Sequence, residues 1–115
     1  MSSNIEFLFD FASPNAHLSY HVLAGVAERH GASLTLTPVL LGGLFKLTNN
    51  QAPMLAFGEV KGKLDYDMLE TQRFIAAHKL DHFKFNPYFP INTIMLMRGF
   101  IAAKQLGVVW MSMWP

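Results

Sequence analysis

The chain has 115 residues, room for one domain, with no cysteine and a formal net charge of +1. Its Lys and Arg are scattered, so no basic track exists for phosphates to follow, and neither nucleic acid nor a membrane surface is an expected partner. The missing cysteines exclude disulfides, thiolate metal sites and a cysteine nucleophile in this chain, and no apolar run approaches the ~20 residues of a membrane span. Hydrophobic residues make up 51%, including ten Phe and seven Met, so much apolar surface must be buried. The opening Met-Ser-Ser-Asn-Ile-Glu has neither a basic nor a continuous apolar segment, so no signal peptide is expected and a cytoplasmic location follows.

Residues 4–11 alternate Ile5, Phe7, Phe9 and Phe11 with Glu6, Leu8 and Asp10, the period of a strand with one apolar face. Ser13 then stands as N-cap and Pro14 as N1 of a helix carrying Leu18, Val22, Leu23 and Val26, which Gly31 ends. Residues 33–40 form a second strand that Pro38 confines or kinks. Strand, helix and strand in this span have the size of a βαβ unit with parallel strands. From Gly42 the chain reads as loop, broken by Asn49-Asn50, Pro53 and Gly58. Residues 64–79 carry Leu64, Met68, Ile75 and Lys79 on one side of an amphipathic helix. An aromatic, proline-punctuated connection covers 82–90, and Asn92 or Thr93 caps a last helix reaching about Gly107. Two strands cannot cover themselves, and the Met/Trp-rich tail of residues 108–115 has no cap or turn chemistry; a chain incomplete at its C-terminal side is expected.

Four features carry candidate chemistry. Ser13 sits where a helix start gathers unpaired N–H groups and partial positive charge, which favours an anion; the ordinary alternative is helix punctuation. His17/His21 and His78/His82 are i,i+4 pairs that one metal could bridge, but neither brackets a Glu, and packing within the helix is the expectation; no metal site is assigned. Asn49, Asn50 and Gln51 are either ligand-binding amides or turn formers. Lys63, Tyr66, Glu70 and Arg73 follow one helical side, the usual pattern of a solvated ion-paired surface.

Together these segments resemble the 2-hydroxychromene-2-carboxylate isomerases and kappa-class glutathione transferases of the thioredoxin-like disulfide-oxidoreductase superfamily. Asp10, Phe11, Ala12, Ser13 and Pro14 match the family's Asp-Phe-x-Ser-Pro start. The run from Gly42 through Asn50 is similar to Gly-Gly-x-Phe-Lys-x-Thr-Gly-Asn, with Asn49 in place of Gly. Lys63, Tyr66 and Arg73 resemble Lys-x-x-Tyr-x-x-x-Asp-x-x-Arg, with Glu70 in place of Asp, and Phe89 to Arg98 resembles Phe-Pro-x-Asn-Thr…Met-Arg.

The resemblance implies an α/β fold, with residues 1–41 as the N-terminal βαβ part of a thioredoxin-like domain, 42–107 as a helical insertion and 108–115 unmatched. It implies glutathione as cofactor, Ser13 as the residue orienting its thiolate, and Asn50 and Lys63 as glutathione contacts, Lys61 being a rival to Lys63. The implied reaction is reversible thiolate addition to an unsaturated small-molecule electrophile, an isomerisation, with transferase or peroxidase activity as alternatives and a homodimer as the full-length assembly. A second class of reading is an inactive fragment, or a module that self-associates through its apolar helices.

Overall fold

The computed structural model describes residues 3–108; the predicted tail beyond Val108 lies outside them. Among the described residues the fold is mixed α/β, with a two-stranded parallel sheet and five helices. The chain divides into two compact units: residues through Leu41 together with Phe85 onward, and Gly42–Lys84.

In the first unit, β1 (Asn4–Phe9) and β2 (Ser33–Pro38) pair in parallel, from Asn4 opposite Ser33 to Phe9 opposite Pro38. Parallel pairing needs a crossover, and α1 (Pro14–Arg29) supplies it. The alternation expected of the first strand holds: Phe9 is buried, Ile5 and Phe7 partly so, while Asn4, Glu6 and Leu8 are exposed. On the exposed face, Ser33 and Thr35 hydroxyls donate to Asn4 Oδ1 and Thr37 donates to Glu6 Oε1. Strand geometry stops at Phe9, so Phe11 reaches the core from a turn rather than from the strand. Pro38 is the last residue of β2, consistent with its missing N–H.

A final helix of this unit, Ile94–Leu106, packs on the same sheet. Phe9, Phe11, Met97 and Phe100 form the core, bordered by Phe7, Ala16, Leu36 and Leu96. Phe100 is wholly buried, its ring meeting Phe9 edge-to-face at 4.9 Å and Phe11 at 6.1 Å. Such a ring contributes about 1.5–3 kcal/mol by burial, and its aromatic contacts add to that. The Phe89-Pro90 peptide is cis.

The second unit departs from the sequence reading. The segment expected to be loop carries α2 (Leu41–Leu47, beginning at the last residue of the first unit) and α3 (Pro53–Ala56), followed by α4 (Lys63–Ala77); Ile94–Leu106 is therefore α5. Gly42-Gly43 looks like a break, yet both residues are helical, and nothing lies within 4 Å of a Cβ placed on Gly42. α4 stops two residues before the expected end: Lys79 turns left-handed at φ 54°, and Leu80 N–H closes on Ile75 O at 2.9 Å. None of α2, α3 and α4 buries a residue fully; Phe74 and Ile75 are half-buried, and Leu80 is the buried side chain after α4.

Candidate functional site

Ser13 is the N-cap of α1, with extended backbone at φ −93° and ψ 112°. Its Oγ accepts from the Ala16 N–H at 3.1 Å, and its carbonyl accepts from the His17 N–H at 3.1 Å. Pro14 has no N–H to offer, so Asn15 N–H is the first-turn donor left without an acceptor among the described residues. The Ser13 hydroxyl accepts one bond through oxygen and keeps its hydrogen for another acceptor. A partly exposed hydroxyl donor, a free amide and the positive end of a 16-residue helix thus lie together at the start of α1.

The turn ahead of Ser13 is anchored by Asp10, which the motif contained but which carried no role of its own. Asp10 is 2% exposed. Its Oδ1 accepts from Ala12 N–H at 2.8 Å and from the Thr93 hydroxyl at 2.6 Å; its Oδ2 accepts from Leu41 N–H at 2.8 Å. Its carbonyl accepts from Ser13 N–H at 3.0 Å. Thr93 is the N-cap of α5, as one of the two expected caps, but its side chain makes no capping bond and serves Asp10 instead. Asn92 Oδ1 takes over near that helix start, accepting from Ile94 N–H at 3.0 Å. The signal for Asp10 in the sequence is an acid ending a phenylalanine-rich strand, where burial demands partners.

Asn50 and Lys63 belong to the second unit, and Ser13 to the first. Asn50 is exposed; its N–H closes α2 onto Phe45 O at 2.8 Å, and its Oδ1 accepts from Gln51 N–H at 2.8 Å. The amide Nδ2 has no acceptor among the described residues. Turn formation therefore accounts for its backbone and oxygen, while two N–H donors stay available. Lys63 is the first residue of α4, with a 39% exposed side chain paired to Asp67 at 3.3 Å and lying 5.6 Å from the Phe57 ring centre. Lys61 is exposed in the preceding turn. Arg73 pairs with Glu70 at 2.7 Å, so this side of α4 is the ion-paired surface its spacing suggests.

His17 and His21 bring their ring centres to 5.0 Å, and the His78 ring lies tilted against Phe74 at 4.3 Å. Among the described residues no group of three or more His, Cys, Asp or Glu could hold a metal ion. No helix among them is long and apolar enough to cross a membrane.

No protein-family model, curated protein or solved structure matches the chain.

Proposed function

We propose that this chain is a glutathione-dependent isomerase of the 2-hydroxychromene-2-carboxylate type, built on a thioredoxin-like βαβ unit, with Ser13 orienting the thiolate. The observation that carries the reading is the Ser13 cap: a hydroxyl hydrogen and the free Asn15 N–H at the start of α1, directly after a parallel strand. These groups suit a sulfur anion, because the helix start favours negative charge and each donor gains strength against it. Bound glutathione would supply the sulfur nucleophile that adds to an electrophilic double bond and departs after rotation. Ser13 would donate to the sulfur; of the further contacts that the resemblance implies, the Asn50 amide suits a peptide carbonyl and the Lys63 ammonium suits a carboxylate. Lys63 would have to share or leave Asp67, a partner that an exposed pair binds only weakly. A cytoplasmic homodimer acting on a small-molecule electrophile belongs to the same proposal.

The test is the ultraviolet absorbance of thiolate as glutathione is titrated against pH. A hydrogen bond to a charged group is worth about 1.5–3 kcal/mol, so Ser13→Ala should raise the thiol pKa of bound glutathione by about one to two units. An unchanged thiolate signal would remove Ser13 from that role.

A second reading, a module that self-associates without catalysis, is favoured by the apolar surface of the second unit. Leu47 and Leu55 are 85% and 73% exposed, and Met54, Val60 and Met68 are also open. Calorimetry separates the two readings: a catalytic chain releases or absorbs heat with millimolar glutathione, whereas a self-associating module gives heat only on dilution of the protein.

A further inference from the structure

The Asp10 carboxylate has no part in the reading above, yet it is the most heavily engaged buried polar group of the first unit. Its three side-chain bonds come from three segments: the turn before α1, the start of α2 and the start of α5. No cation among the described residues pairs with it. All three donors are neutral, and they occupy both carboxylate oxygens, so position 10 requires acceptors at both terminal atoms. An amide offers an acceptor at one and a donor at the other. The four-residue turn is braced twice, by Oδ1 holding Ala12 and the carbonyl holding Ser13. That bracing sets where α1 starts, and with it the directions of the Ser13 hydroxyl and the Asn15 N–H.

We infer that Asp10 is the positioning residue of the Ser13 site: through Ala12, Leu41 and Thr93 it holds the start of α1 so that its donors converge on one anion. The identity of that anion rests on the glutathione reading; the bracing does not. Charge and position predict opposite signs. Removing a nearby carboxylate without moving the helix would favour a thiolate and lower its pKa, whereas loosening the helix start would raise it.

The experiment compares Asp10→Asn, Thr93→Val and Thr93→Ser in the full chain; Thr93→Val removes only one of the three bonds should Asp10→Asn fail to fold, and Thr93→Ser keeps that hydroxyl donor. Amide exchange by NMR reads the Ala16 N–H, which reports directly on the Ser13 cap, against Phe7 in β1. Asp10→Asn and Thr93→Val should speed exchange at Ala16 by about tenfold with Phe7 unchanged, the scale of one net hydrogen bond, and Thr93→Ser should restore it. The thiol pKa of bound glutathione should rise in the first two variants. Equal loss of protection at Ala16 and Phe7, no loss at either, or a falling thiol pKa would each overturn the inference. If the unaltered chain binds no glutathione, the glutathione reading fails alone, and selective exchange at Ala16 then decides for or against Asp10.

Discussion

At Ser13 two roles share one side chain, and the substitutions that separate them follow from how each works. Capping needs an acceptor for Ala16 N–H, and losing it to alanine costs about 1 kcal/mol, whereas glycine at an N-cap costs only a few tenths. Ser13→Gly should therefore leave the unfolding midpoint nearly unchanged while raising the thiol pKa of bound glutathione by about the same one to two units as Ser13→Ala, measured by denaturant titration and absorbance on the same sample. Ser13 was readable because its signals are local: a strand pattern, then serine, then proline at N1. Asp10 and Thr93 were not, because their bond joins residues 83 positions apart and spacing carries no information at that range. Thr93 illustrates the ambiguity, since a threonine before an apolar helix reads as a cap until a stronger acceptor claims its hydroxyl. Lys63 was legible as half of an ion pair, although Asp67 rather than a residue of the Lys-Tyr-Glu-Arg set is its partner.

The helices show where periodicity informs and where it misleads. α1 and α5 each end on a glycine in the left-handed region, Gly31 and Gly107, and both stops were visible in the sequence. α4 makes the same closure with Lys79, a residue that must bear a Cβ at φ 54°, so helical spacing ran on past the true end. Lys79→Gly should raise stability by up to about 1 kcal/mol, seen as a higher unfolding midpoint; a fall would mean the lysine side chain contributes more than its backbone costs. α2 was hidden by its two glycines and α3 by its length of four residues, both below what propensity can resolve. In α5, Met97 and Phe100 follow the helical period into the core. Phe100→Ala should cost about 3–5 kcal/mol and unfold a marginal domain, as circular dichroism against denaturant would show.

Across the molecule, stability is unevenly divided. The first unit holds the aromatic core, while the helices of the second bury none of their residues fully. Hydrogen–deuterium exchange should therefore proceed first through α2, α3 and α4, with β1, β2 and α5 the slowest; uniform protection would contradict this division. The βαβ order was legible because strand and helix periods differ sharply over residues 4–38, and α5 followed from its cap and glycine stop. Which unit α5 packs with was not, because sequence order sets it after α4 while its buried side meets the strands. The Asp10 anchor also gives the molecule an order in time. Of its three arms, one closes a span of 31 positions to Leu41 and another a span of 83 to Thr93. By loop-closure entropy the longer span costs only about 0.9 kcal/mol more than the shorter, yet contacts of such range form late. The start of α1 can be helical as soon as residues 13–29 exist, but its alignment is completed only when α5 arrives from the far end of the described chain. A chain emerging from synthesis would thus carry the helix first and finish its mouth last.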